Sequence, residues 1–261
     1  MSKIVSVHSF RGGTGKSNTT ANVAAQVALQ GNRVAIVDTD IQSPGIHVLF
    51  GMEEDDIKRS LNDYLWGKCE ISEAVYDVGS QIKMADGRVG LPQGQLFLIP
   101  SSIKPNEIAK VLKEGYDVGT LSDGFQDAIE DLDLDYFFID THPGLNEETL
   151  LSIAISDVLI LIMRPDRQDF QGTAVTVDVS RKLDIPNLFL LVNKALPEYD
   201  FAALKTQVEQ TYNTPVVGIL PLSTDVARLS SSGIFSFVEP NHEWSNTIKE
   251  VARQVIASQA L

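Results

Sequence analysis

Residues Gly12–Ser17 read GGTGKS, between a short apolar run, Ile4–Val7, and a helical pattern, Ser17–Gln30. No other stretch constrains the fold as tightly. At average glycine frequencies, three glycines plus Lys and Ser or Thr at fixed places arise by chance in about one such chain per thousand or fewer. Gly12, Gly13 and Gly15 let the backbone turn its N–H groups toward an anion. The helix that follows adds its positive N-terminal end. Lys16 can neutralise β and γ phosphate oxygens, and the Ser17 hydroxyl can ligate Mg²⁺. Thr14 and Asn18 complete the candidate cradle. Two letters depart from the pattern G-x-x-x-x-G-K-[ST] or stand out beside it. Phe10 occupies the place of the first glycine, and Arg11 directly precedes the glycine pair.

The rest of the chain fits a strand–loop–helix start. Further apolar runs lie at Arg33–Val37, Leu96–Ile99, Tyr136–Ile139, Val158–Met163, Leu188–Val192 and Val216–Ile219. Most are continuous rather than alternating, as expected of strands buried on both faces of a parallel sheet. Helical patterns lie between them, with apolar residues every three or four positions at Val118, Leu121, Phe125, Ile129 and Leu132, and again at Ile248, Val251, Ala252, Val255 and Ile256. Ile82–Gly90, centred on Asp86-Gly87, reads as a small hairpin. No repeat, low-complexity stretch or linker interrupts the 261 residues. The expected fold is α/β: a single doubly wound, mostly parallel sheet flanked by helices, in one domain over 1–261.

Two acidic strand ends extend the cradle. VDTD places Asp38 and Asp40 at the C-terminal edge of the second run, and FIDTHPG places Asp140 at the edge of another. Ligands of open α/β sheets bind at that edge, and a carboxylate there can hold Mg²⁺ as a Walker-B aspartate does.

These stretches together carry a resemblance. RGGTGKSNTTAN, then VDTDIQSPG, then FIDTHPGL resembles the ParA/MinD family of P-loop ATPases, whose Walker A motif is deviant. VLILIMRPDRQDFQGT, LLVNK and GILPLSTDVARLSSSG are similar to later family segments and follow in the family order. The resemblance implies a P-loop NTPase fold, binding of ATP with Mg²⁺, an ATP-dependent homodimer and slow hydrolysis stimulated by a partner protein. It implies that Lys16 and Ser17 hold phosphate and metal, with Asp38 and Asp140 supporting Mg²⁺. Asp40 would position the attacking water, Asn193 would read adenine, and Pro221, Leu222 and Ser223 would line the base pocket. The family usually carries lysine at the position of Arg11, reaching across the dimer to the partner's phosphates. Arginine keeps that charge in a planar fork suited to phosphate. His142 also departs from the small residue or proline expected there. It reads as a loop side chain bonded to a neighbour, with pH or partner sensing as the alternative.

Composition narrows the role. The formal net charge is −14, which opposes nonspecific contact with nucleic acid or anionic membrane unless a local basic patch overrides the field. Arg181-Lys182, Lys205 and Arg228 are scattered, and the C-terminal helical pattern carries only Lys249 and Arg253, so it reads as core-packed rather than membrane-bound. The expected partner is therefore a protein. No apolar run is long enough for a span and no signal peptide is visible. The lone Cys69, read as buried in a helical stretch, supports no internal disulfide, so a cytoplasmic setting is expected. His8, His47 and His242 lack ligand spacing. Glu53–Asp56 and Glu130–Asp135 read as solvated acidic faces. The competing reading is a metal-cluster or metal-insertion ATPase of the related P-loop group, which would use paired cysteines. A related tyrosine kinase would carry a tyrosine-rich tail. A nucleotide-binding scaffold without turnover is opposed by the intact Lys16, Asp40 and Asp140.

Overall fold

The computed structural model describes residues 2–259. Among these, eight strands form one sheet: β1 (Lys3–His8), β2 (Arg33–Asp38), β3 (Tyr76–Asp77), β4 (Gln95–Ile99), β5 (Tyr136–Asp140), β6 (Val158–Met163), β7 (Asn187–Ala195) and β8 (Val216–Pro221). The order is β3-β4-β2-β5-β1-β6-β7-β8. All neighbours are parallel except β3 with β4. The helices are α1 (Lys16–Ala28), α2 (Leu61–Leu65), α3 (Pro105–Glu114), α4 (Val118–Asp131), α5 (Glu147–Ala154), α6 (Arg167–Lys182), α7 (Phe201–Tyr212), α8 (Thr224–Leu229), α9 (Phe235–Val238) and α10 (Glu243–Ala257).

The continuous apolar strands are continuous because both faces are covered. Successive residues of β5 part company: Phe138 enters the layer with Val23, Val27 and Val251, whereas Phe137 and Ile139 enter the layer with Leu121, Phe125 and Ala128. The rings of Phe125 and Phe137 lie 5.1 Å apart at 49°. On β6, Leu159, Leu161 and Met163 face α6 and α7 while Val158, Ile160 and Ile162 face the α1–α10 layer. α10 packs as expected, with Ile248, Val251, Ala252 and Val255 buried. Its C-terminal carbonyls are met by the buried Lys3 ammonium, which donates to Val255 O at 3.1 Å, Ile256 O at 3.2 Å and Ser258 O at 2.6 Å. A cation at that end offsets the helix dipole, though burial lowers the Lys3 pKa. No described helix is long and apolar enough to cross a membrane.

The seven expected strands are all present, Val158–Met163 at its expected bounds and the other six slightly longer, and β3 is added at the edge. The 82–90 hairpin exists as a single antiparallel bridge, Lys83 to Val89, outside the sheet. Cys69 corrects its expectation: α2 ends at Leu65, and the cysteine lies in the following loop, partly exposed. Its helical pattern is cut by Gly67, at φ 65°, in the left-handed region that glycine favours.

Topology places the crevice. The chain leaves β1 through α1 toward β2 on one side, and leaves β5 through α5 toward β6 on the other. The C-terminal ends of β1, β2 and β5 therefore open at the reversal of strand order, where such sheets bind ligands.

Candidate functional site

The loop after β1 turns by its glycines. Gly13 lies at φ 76° and Gly15, the residue that precedes α1, at φ 92°, ψ 24°. A Cβ on Gly15 would stand 2.4 Å from Asn193 Nδ2, so conformation and space both exclude a side chain. The loop is braced from β7. Asn193 Nδ2 donates to Thr14 O at 2.8 Å, and Lys194 Nζ donates to Gly13 O at 2.7 Å. Pro143, in the loop after β5, lies against the other side, 3.9 Å from where a Cβ of Gly12 would be.

Two cavities meet at Gly15 and Asn18. One, of about 220 Å³, is lined by Ser9, Gly12–Asn18, Asp40 and Pro143. The other, of about 300 Å³ and largely apolar, is lined by Asn193, Pro221, Leu222 and Ser223 with Val226 and Trp244. A polar anion cradle adjoining an apolar slot has the shape of a nucleotide: phosphates on the helix N-terminus, base between side chains.

Beneath the cradle three carboxyls share one cation. Asp38 and Asp140 are register partners at the ends of β2 and β5, and both are fully buried. Lys16 Nζ lies 3.8 Å from Asp40 Oδ2 and 3.8 Å from Asp140 Oδ1. Asp38 accepts from Asp40 N at 3.0 Å and Gly45 N at 3.2 Å. Burial, then the charges of Asp140 and Asp40, push the Asp38 pKa well above the usual carboxyl range. Burial also raises Asp140, against the opposing pull of Lys16 and the Ser17 and Thr20 hydroxyls. Thr20 Oγ1 lies 3.0 Å from Asp140 Oδ1, while Asp140 Oδ2 is buried without a hydrogen-bond partner. Carboxyls held up in pKa with an orphaned buried oxygen fit a divalent cation, which relieves both conditions.

Arg11 is placed differently. It is partly exposed and is not among the residues that line the cradle, with Nη1 3.5 Å from Asp169 Oδ1 and 3.9 Å from Asp166 Oδ1 at the start of α6. Arg164 shares the same acids, with Nε 3.0 Å from Asp169 Oδ2. Phe10 explains its own departure from glycine. Its ring lies on Gly172 of α6, where a Cβ would come within 2.1 Å of it.

Two histidines close the crevice. His8, at the end of β1, is fully buried, and its Nδ1 lies 2.7 Å from Thr141 Oγ1. Burial, then the charges of Lys16 and His142, lower its pKa to about 3, so it is neutral at working pH. His142 Nδ1 lies 2.7 Å from Asp40 Oδ1.

The nucleotide-binding domain model shared by CobQ, CobB, MinD and ParA proteins matches residues 5–237. The chain belongs to the ParA/MinD family. An uncharacterised ATP-binding protein of Methanocaldococcus jannaschii is 26% identical over 260 residues, covering 99% of this chain and 89% of that protein. The solved structure of the septum site-determining protein MinD of Pyrococcus horikoshii with Mg-ADP shares the fold at TM-score 0.78, with 18% identity and coverage of 98% of this chain and 97% of that one. The MinC:MinD cell division complex of Aquifex aeolicus also gives 0.78, with 16% identity, 100% of this chain and 98% of that one. As a ParA/MinD-type P-loop ATPase the chain takes ATP and Mg²⁺, and the orphaned Asp140 Oδ2 and glycine cradle suit both.

The structure brings Gly12, Gly13, Thr14, Gly15, Lys16, Ser17, Asn18, Asp38, Asp40 and Asp140 to one crevice, and Asn193 with Pro221, Leu222 and Ser223 to the adjoining slot. Asn193 differs from a free base reader: its amide is engaged at both ends by backbone, at Thr14 O and Lys194 N. Sequence reasoning missed Thr20, His8, Lys194 and Asp169. Thr20 was findable, since a residue four after Lys16 shares its helix face. Asp169 carries no local signal.

Proposed function

We propose that this ATPase is a Mg-ATP-dependent dimerisation switch, one domain over residues 1–261, that positions or partitions a cytoplasmic cargo or complex through a partner protein. The observation that carries the proposal is the direction of Arg11. An arginine beside a phosphate loop would ordinarily neutralise its own site, yet this one leaves its own cradle to Lys16 and stands at the surface against Asp166 and Asp169. Only Nη1 is engaged there, at 3.5 and 3.9 Å, so the partly exposed fork can exchange these acids for the phosphates of a second molecule. Two ATP-loaded crevices facing each other carry heavy negative charge, and a bidentate guanidinium from each side offsets it.

Within one subunit, Lys16 and the loop N–H groups bind the β and γ phosphates. Ser17, Asp38 and Asp140 would hold Mg²⁺, which supplies charge neutralisation on the phosphates. Asp40, adjoining both the cradle and Lys16, positions the attacking water. The slot at Asn193 and Pro221–Ser223 takes the adenine. Arg181 is occupied by Asn213 O and Thr214 Oγ1, each at 3.2 Å, and Arg228 by Asp225 at 2.7 Å. These pairings support weak binding to nucleic acid and membrane, and with them a protein partner.

Complementation tests the reading. Arg11→Ala and Asp40→Ala proteins each hydrolyse ATP poorly alone. In a mixture, the Arg11→Ala subunit keeps its own Asp40 and receives Arg11 from its Asp40→Ala neighbour, so turnover rises above the sum of the two. A mixture no faster than that sum contradicts the trans role.

A further inference from the structure

We propose that His142 is the positioning residue of Asp40: its imidazole N–H orients the carboxylate that the proposed function assigns to the attacking water. The inference rests on that assignment and adds a residue that the family pattern does not supply.

The contact itself is direct. His142 Nδ1 and Asp40 Oδ1 are 2.7 Å apart, a short distance for a hydrogen bond to a carboxylate. An ionised carboxylate only accepts, so Nδ1 carries the proton. The other oxygen, Oδ2, faces Lys16 Nζ at 3.8 Å. Asp40 is thus held at two points, by the lysine of the cradle and by the imidazole of the loop after β5. Removing the imidazole leaves the mostly buried carboxylate only the longer contact to Lys16.

The imidazole is in turn fixed by its backbone. Thr141 Oγ1 lies 3.0 Å from Val7 O and 2.7 Å from His8 Nδ1. The hydroxyl donates its one proton to the carbonyl, so His8 Nδ1 must donate to the hydroxyl. With its pKa near 3, His8 stays a neutral Nδ1–H donor. Thr141 is therefore pinned to the end of β1 from two directions, one residue before His142. One residue after it, Pro143 restricts φ, and Gly144 N donates to Ser9 O at 3.2 Å. A ring on so constrained a backbone loses little entropy on meeting Asp40, which is the condition for a positioning residue to raise rate rather than merely fill space.

A further acid bears on the pair through its charge. Glu148 on α5 accepts from the Tyr116 hydroxyl, and the charges of His142 and Asp40 both act on Glu148. The acids and hydroxyl around His142 thus come from α5 and the segment between α3 and α4, as well as from the loop after β2.

The experiment compares wild type, His142→Ala, His142→Asn, Asp40→Ala and the Asp40→Ala/His142→Ala double variant in steady-state ATP hydrolysis, with single turnovers to isolate the chemical step. Imidazole ¹⁵N spectra of nucleotide-free wild type and Asp40→Ala protein accompany it. His142→Ala is expected to lower kcat about tenfold with KM within twofold. His142→Asn, whose amide nitrogen takes the place of Nδ1, should restore most of the rate. Adding His142→Ala to Asp40→Ala should cost nothing further, since residues acting as one unit are not additive. The wild-type spectrum should show a protonated, hydrogen-bonded Nδ1 that changes in Asp40→Ala. Wild-type turnover by His142→Ala while Asp40→Ala is slow overturns the His142 assignment alone, as does full additivity in the double variant. Wild-type turnover by Asp40→Ala overturns the reading beneath it. A poorly folded His142→Ala leaves the decision to His142→Asn and the spectra: a slow Asn variant with an unchanged wild-type spectrum on loss of Asp40 refutes the pair.

Discussion

Replacing Asp140 by Asn separates what the crevice costs the fold from what it gives to function. Asp140 is buried with one oxygen unpartnered, and burial raises its pKa despite Lys16 at 3.8 Å. The attraction to Lys16 is about 4 kcal/mol at an effective dielectric of 20, but Asp40 repels the same charge and desolvation is the largest influence, which holds the pKa up. Asn keeps the acceptor for Thr20 and removes the charge. Removing one partner of a buried pair is costly when it leaves the other charge uncompensated, but Lys16 keeps Asp40 at 3.8 Å and the nearby Asp38. Loss of one desolvated charge from three clustered acids, less the cost of the Asn amide in the orphaned position, should therefore stabilise by about 1–2 kcal/mol, or about 2–4 °C for a domain of this size. The pH dependence has a definite sign. A carboxyl whose folded pKa lies above its unfolded value binds its proton more tightly when folded. It therefore costs stability progressively as pH rises from the unfolded value of 3.8 through the raised folded one. Asp140→Asn should flatten that fall without abolishing it, because Asp38 titrates in the same sense. Melting curves between pH 4 and about 8, with and without Mg-ATP, measure both effects. Saturating nucleotide at about a hundred times its Kd should stabilise wild type by about 2.7 kcal/mol, and the variant far less. A variant that melts below wild type across the range, or that keeps the full Mg-ATP shift, refutes the reasoning.

Other expectations are simpler. Gly15→Ala should lower nucleotide affinity at least about tenfold and destabilise by about 1–3 kcal/mol, because a Cβ there meets Asn193 Nδ2 at φ 92°; calorimetric titration and urea melts check it. Phe125→Ala, which empties the contact with Phe137, should cost about 3–5 kcal/mol in urea unfolding while ATP binding persists in the folded fraction. Lys16→Ala should abolish measurable ATP binding by fluorescence titration, since it removes the one cation among three acids. ATP-bound protein should bind nonspecific duplex DNA and anionic vesicles weakly at physiological salt, and micromolar, salt-sensitive binding would show a basic patch stronger than the net field.

What the sequence revealed and what it hid follow from the range of the interactions. The seven long strands were legible because burial on both faces makes each a continuous apolar run. β3 was not, because two residues, Tyr76 and Asp77, pair only at an edge and leave no pattern. The phosphate loop and its three aspartates were legible since motif and strand end coincide in sequence. The bracing of that loop by Lys194 and Asn193 was hidden, as it joins positions 179 and 181 residues apart. Arg11 was singled out by its place beside the glycines, but Asp169, which holds it 158 residues away, had nothing local to mark it. His142 was read as bonded to a neighbour, and it is. That the neighbour is Asp40 depends on the adjacency of β2 and β5, which only the sheet order supplies.

The central claim is that ATP brings two chains together through Arg11. Multi-angle light scattering of wild type and Arg11→Ala, each with a slowly hydrolysed ATP analogue and Mg²⁺, measures it directly. Wild type should move from about one to about two times the monomer mass of 28.6 kDa, while Arg11→Ala, still loaded with nucleotide, stays at one. An Arg11→Ala protein that dimerises as wild type does, or a wild type that remains monomeric with its sites filled, would contradict the account.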